Sequence, residues 1–208
     1  MASTDIWTIQ RILQWTTRYF KNHGVEEARL DAELLLAHVL KKTRIYLYTN
    51  FDQMLNRGEL AAYHTLVERR AKGICVAALT GHKDFMGLDF FVNEHVLIPR
   101  QDTEVLVEEA ISRMRNLEKP QILDMCTGSG CILLSLLLEL PQALGTGVDV
   151  SEGALCVAKE NRKRLGLEQR ADLIQSDLFS ADYFQKNSGN DHMEYDMLIS
   201  NPPYIRTE

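Results

Sequence analysis

From Thr4 to about Lys72 the apolar residues recur at helical spacing: Ile9, Ile12 and Leu13, then Ala28, Leu35, Leu36 and Val39, then Leu60, Tyr63, Leu66 and Val67. The pattern predicts a small helical bundle over residues 1–73, punctuated by Gly24 and Gly58, with Asp5 and Asp31 as cap or first-turn residues. No catalytic constellation gathers there. Packing or the docking of a partner is the expected role, and Arg69, Arg70 and Lys72 read as a solvated helix end. Between Ile74 and Ile98 the spacing shortens to alternation, with Phe85, Leu88, Phe90 and Val92 separated by Gly81 and Gly87, which predicts a hairpin-like connector over 74–99. Asp102-Thr103-Glu104 then opens a helix carried by Val105, Leu106, Ala110 and Met114 and ended before Pro120. Beyond it, strands are expected at 122–125, 145–149, 171–174 and 196–199, with helices at 130–140 and 152–165. That alternation predicts a parallel sheet with right-handed crossovers, hence an α/β domain over 100–208 preceded by the helical bundle.

Composition narrows the classes. At 208 residues and 45% hydrophobic, the chain is long enough for a substantial core. A formal charge of -6 argues against non-specific nucleic-acid binding. Cys75, Cys126, Cys131 and Cys156 stand singly, with no CxxC pair and no His at metal-ligand spacing, so neither a disulfide framework nor a metal site is expected and a reducing, cytoplasmic setting is. The first residues lack a basic segment followed by an apolar core, and no run reaches bilayer-spanning length, so neither a targeting segment nor a membrane partner is expected.

The candidate chemistry lies at the ends of the expected strands. After the fourth comes Asn201-Pro202-Pro203-Tyr204. Consecutive prolines fix φ and lack an N–H, so the Pro202 carbonyl stays out of a regular ladder and is free to accept from a ligand. The Asn201 side-chain oxygen adds a second acceptor and the Tyr204 ring a stacking surface, a set that matches a planar NH₂. A strand-terminating turn is the plainer alternative for the tetrapeptide alone. After the first strand, Cys126-Thr127-Gly128-Ser129-Gly130 would let a ligand approach backbone N–H groups at a helix N-terminus. Asp149, ending the second strand, is where a carboxylate would hold a ribose diol, a feature shared by NAD and S-adenosylmethionine. Asp177, after the third, could accept from an adenine amino group while Leu178 packs on the ring. A helix cap is the alternative for Asp177.

Taken in order, these four motifs resemble the class I S-adenosylmethionine-dependent methyltransferases that modify amide or exocyclic amino nitrogens. The upstream stretches, Leu79 to Phe90 and Val96-Leu97-Ile98-Pro99-Arg100-Gln101-Asp102-Thr103-Glu104, resemble the HemK/PrmC family of release factor glutamine methyltransferases, as does the helical module in front of them. Cys126 stands where a glycine is common and Gln101 where proline is usual. The resemblance implies a Rossmann-like methyltransferase domain and a helical domain that docks release factors. It implies S-adenosylmethionine as cofactor, with Cys126 to Gly130 at its amino-acid part, Asp149 at its ribose, Asp177 and Leu178 at its adenine, and Asn201 touching it as well. It assigns Asn201, Pro202, Pro203 and Tyr204, with Arg100, to the substrate, the glutamine of the Gly-Gly-Gln loop of peptide chain release factors. Asn201, Pro202 and Tyr204 carry the catalytic role.

Amide nitrogen is a poor nucleophile because its lone pair is delocalised, so such an enzyme works mainly by orientation and needs no nucleophilic side chain or metal. An adenine-specific DNA methyltransferase or a guanine-specific rRNA methyltransferase could use the same tetrapeptide. The acidic charge and the lack of a target-recognition domain count against them. Because the fold normally continues through further strands, including an antiparallel hairpin, the chain is also expected to be a truncated member of the family, and a cofactor-binding fragment without turnover is the remaining alternative.

Overall fold

The Thr8 hydroxyl accepts the Arg11 backbone N–H at 3.3 Å, and the apolar stripe that follows winds into helix α1 (Ile9–Asn22). The structure is a computed structural model that describes residues 7–185 and 194–202. Asp5, Pro203 and Tyr204 lie outside the described residues. The chain divides into two compact units, Met1–Thr80 and Gly81–Glu208.

The first unit is helical. After α1 come α2 (Ala28–Leu40), α3 (Arg44–Thr49), α4 (Arg57–Ala71) and α5 (Val76–Thr80). A reciprocal capping box starts α4: the Asn56 side chain accepts the Glu59 N–H at 2.9 Å, and the Glu59 carboxylate accepts the Asn56 N–H at 2.8 Å. Ile9, Leu13, Phe20, Leu35, Leu36 and Leu47 form the core with Tyr63, whose hydroxyl donates to the Ala32 carbonyl at 3.0 Å. Leu79 of α5 joins that core, which places the division between the units after Thr80, later than the change of spacing at residue 74. The basic helix end is not simply solvated: Arg70 Nε donates to Oδ2 of the buried Asp31 at 2.7 Å. This interaction joins the end of α4 to the first turn of α2.

In the second unit, strands β1 (His82–Phe85) and β2 (Leu88–Phe91) form an antiparallel hairpin. Helix α6 (Asp102–Met114) follows, then β3 (Gln121–Met125), α7 (Cys131–Glu139), β4 (Leu144–Asp149), α8 (Glu152–Arg164), β5 (Ala171–Gln175), α9 (Asp182–Gln185) and β6 (Met197–Ser200). The last four strands form one sheet in the order β5-β4-β3-β6, with every pairing parallel. Helix α7 is apolar all round and buried from Cys131 to Leu137, which suits an element packed on the sheet and against α6. Gly145 permits this packing, because a Cβ there would overlap a Leu133 methyl of α7.

One charged cluster stabilises the helical unit from within. Glu33 of α2 is 1% exposed. Its carboxylate accepts from Arg44 Nη2 at 2.8 Å, from the Tyr48 hydroxyl at 2.6 Å and from Arg29 Nε. Burial pushes its pKa up, but the hydrogen bonds from Tyr48, Arg44 and Arg29 prevail and hold it below the usual carboxylate range. A depressed carboxyl contributes stability above its unfolded-state pKa and loses it as pH falls through the folded value. Glu33→Gln should therefore cost about 2–3 kcal/mol at neutral pH, the scale of lost hydrogen bonds to a charged group. Urea denaturation should show the gap to the parent protein closing below about pH 4, near the ordinary carboxylate pKa. A gap that persists at acidic pH contradicts this account of the cluster.

Candidate active site

The turn after β3 is built from backbone conformations that few side chains favour. Cys126 has φ +63°, Gly128 φ +55° and Gly130 φ +79°, so the chain reverses into α7 within five residues. Cys126 thus sits in the left-handed region that favours glycine, at a cost of about 1–2 kcal/mol. Burial pushes the Cys126 thiol pKa up, and the nearby Asp149 charge adds to the effect. A Cβ at Gly130 would come 3.0 Å from Leu134, so glycine is needed there for close packing as well as for φ.

Three hydrogen bonds hold the turn in place. The Thr127 N–H donates to the Val148 carbonyl at 2.9 Å, its hydroxyl donates to Asp124 Oδ2 at 2.6 Å, and the Gly128 N–H donates to Asp149 Oδ2 at 2.9 Å. The other Asp149 oxygen accepts the Ser151 N–H at 2.9 Å, while the Ser151 hydroxyl caps α8. A single carboxylate at the end of β4 therefore links the glycine-rich turn to the start of the next helix. Each of its oxygens has spent one lone pair on a backbone donor and keeps another for a ligand hydroxyl.

The carboxyl ends of β3, β4, β5 and β6 border a cleft of about 330 Å³. Of the residues singled out in the sequence, Cys126, Gly128, Asp149, Asp177, Leu178 and Asn201 line it. A smaller adjoining hollow is lined by Arg100, Thr103, Thr127 and Ser129 and shares Cys126, Gly128 and Asn201 with the cleft. Thr127 and Ser129 are thus absent from the larger cleft, and Gly130 lines neither space, since it caps α7. Asp177 does not cap α9, which begins at Asp182. Its carbonyl accepts the Ser180 N–H at 3.0 Å in a turn beside Leu178, itself at φ +50° and 55% exposed. Pro202 is exposed.

Some site residues gave little signal in the sequence. His95 lines the cleft from the segment after the hairpin, beside Val96 and Leu97 of the stretch already quoted. A Cβ on Gly153 would come 2.9 Å from the His95 ring, so a glycine in the first turn of α8 was the available clue. Asn161, buried in α8, behaves as a strand partner: its Oδ1 accepts the Phe91 N–H at 2.7 Å, and its Nδ2 donates to the Phe91 carbonyl and the Ser129 carbonyl, each at 2.9 Å. It joins the hairpin to the glycine-rich turn. Among the described residues no group of three or more His, Cys, Asp or Glu is placed to hold a metal ion, and no helix is long and apolar enough to cross a membrane.

The cleft fits a nucleoside-bearing cofactor. Its volume lies in the range of small-ligand sites, a half-buried carboxylate with spare acceptor capacity, Asp149, lines it, and a Cβ at Gly128 would meet only the Cys126 carbonyl, at 4.0 Å. A parallel sheet with this turn and this row of strand-end side chains has the architecture of a methyltransferase domain. Comparison with known families agrees: the methyltransferase small domain matches residues 101–208 and the PrmC N-terminal domain matches residues 11–81. The release factor glutamine methyltransferase of Geobacter sulfurreducens is 44% identical over 203 residues, covering 98% of this chain and 67% of that protein. Its counterpart from Rhodopirellula baltica is 42% identical over 203 residues, covering 96% and 66%. Among solved structures, the SAM-dependent methyltransferase from Agrobacterium tumefaciens superposes with a TM-score of 0.47 at 24% identity, over 59% of this chain and 39% of that one. The chain belongs to the release factor glutamine methyltransferase family. It spans about two thirds of the length of the curated relatives it matches.

Asp124, directly behind the turn, is fully buried, and that burial raises its pKa to about 7 against the pull of the Thr127 hydrogen bond, with the Asp149 charge pushing the same way as burial. A raised carboxyl contributes stability that is complete below the unfolded-state pKa, about 3.9, and is lost as pH rises through the folded value. Relative to Asp124→Asn, which is neutral at every pH, the parent protein should lose stability steadily between about pH 4 and pH 7. Denaturant titration across that range is the check, and a difference that does not vary with pH contradicts the assignment.

Proposed function

We propose that this protein methylates the side-chain amide nitrogen of a glutamine in a peptide chain release factor, the glutamine of its Gly-Gly-Gln loop, using S-adenosylmethionine. The observation that carries the reading is the position of Asn201, which lines the same cleft as Asp149, Asp177 and the turn at Cys126. The names of the relatives support the same substrate.

In this reading Asp149 holds the cofactor's ribose, Asp177 and Leu178 its adenine, and the turn from Cys126 to Gly128 its amino-acid part. The bound cofactor supplies an electrophilic methyl group on a sulfonium. The chain's own residues supply orientation. Asn201 Oδ1 and the Pro202 carbonyl each accept one N–H of the target amide, which turns the nitrogen lone pair into the cleft and stabilises the charge that develops on the N–H groups. In this reading Arg100, which lines the hollow shared with Asn201, contacts the substrate. Docking of the release factor falls to the helical unit, whose Trp15 is 42% exposed while stacked on Tyr19.

Asn201→Ala should lower kcat on a release factor by about 10²-fold, the scale of losing one positioned transition-state hydrogen bond. Calorimetric titration should find the Kd for S-adenosylmethionine changed far less than kcat. In the same assay duplex DNA and ribosomal RNA should accept no methyl group. Near-normal turnover in the variant, or preferential methylation of either nucleic acid, contradicts the proposal.

A further inference from the structure

The Asn201 side chain is asymmetric, and only one of its two orientations offers the target amide an acceptor. In the structure its Nδ2 donates to Thr103 Oγ1 at 3.3 Å. Thr103 sits in the first turn of α6, 8% exposed, and lines the hollow that Asn201 shares with the cleft. Its own backbone is fixed, with the Thr103 N–H donating to the Arg100 carbonyl at 3.0 Å. The next residue is tied down as well: the Glu104 carboxylate accepts the Met86 N–H at 2.8 Å, linking this turn to the hairpin. On the other side, Asn201 follows Ser200, whose hydroxyl donates to the Met125 carbonyl at 2.6 Å. Both partners of the Thr103–Asn201 hydrogen bond thus stand on anchored backbone, and a β-branched side chain at 103 has few rotamers to lose.

We infer that Thr103 is the positioning residue of the substrate clamp. Because its hydroxyl can accept from Asn201 Nδ2, it satisfies the amide nitrogen from the protein side and leaves Oδ1 free to face the target's N–H donors. The inference rests on the amide-methylation reading above. In the reversed amide, Oδ1 would accept from the Thr103 hydroxyl and the Asn201 NH₂ would face the substrate's own N–H donors, so donor would meet donor and the clamp would fail.

Thr103→Val preserves shape and removes the acceptor. On a release factor it should lower kcat by about tenfold, the scale of one neutral hydrogen bond, and leave the Kd for S-adenosylmethionine unchanged. Thr103→Ser should restore most of the loss. In an Asn201→Ala background Thr103→Val should cost nothing further, since the effect passes through Asn201. A readout independent of turnover is hydrogen exchange at the Asn201 side-chain amide, followed by ¹⁵N NMR and assigned with Asn201→Asp. One of its two protons should be protected in the parent protein and unprotected in Thr103→Val. Normal kcat in Thr103→Val, an additive loss in the double variant, or an unprotected Asn201 amide in the parent protein overturns the inference. If the parent protein fails to methylate any release factor, the methylation reading fails and the exchange measurement alone decides the role of Thr103.

Discussion

The register of four parallel strands determines what can happen at the candidate site. β3 is paired on both sides, and its last residue, Met125, stands opposite Val148 of β4 and Ser200 of β6. β4 and β5 end level too, with Asp149 opposite Gln175. Neighbouring strands stand about 4.8 Å apart, so the residues that follow these ends leave the sheet side by side. Cys126, Asp149, Asp177 and Asn201 are separated widely in sequence and share one cleft for this reason. A one-residue slip of any strand would send its side chains to the opposite face and break up the group.

Some of the backbone strain lies on the same cleft. Cys126 and Leu178, two of the residues that line it, are non-glycine residues at positive φ. Such conformations persist only where the surroundings over-determine them. Around Cys126 the surroundings are explicit: the Thr127 N–H on the Val148 carbonyl, the Gly128 N–H on Asp149, and Asn161 holding the Ser129 carbonyl. Asp149 and Asn161 thereby serve the fold and the site together, and the turn is held in place before any ligand arrives.

The parts of this protein legible in the sequence are those whose signal is local. A long amphipathic helix such as α1 declares itself by period, and strands alternating with helices declare a parallel sheet. Asp149, Asp177 and Asn201 could be singled out because each ends an expected strand or lies within three residues of its end. Interactions that cross the chain left no such mark. Arg70 reads as a solvated end until it meets Asp31, 39 residues away, and Glu33 gathers partners 11 and 15 residues on, from a helix too short to show a period. Asn161 reaches Phe91 across 70 residues, and Thr103 reaches Asn201 across 98. A buried polar residue on a helix is the only trace either leaves in sequence, and that trace does not name its partner.

The most direct test of the account is to incubate the protein with S-adenosylmethionine and a release factor and to locate the transferred methyl group by fragment mass spectrometry. A single methyl on the side-chain amide of the Gly-Gly-Gln glutamine is the predicted result. A methyl group on any other residue, with that glutamine unmodified, would contradict it.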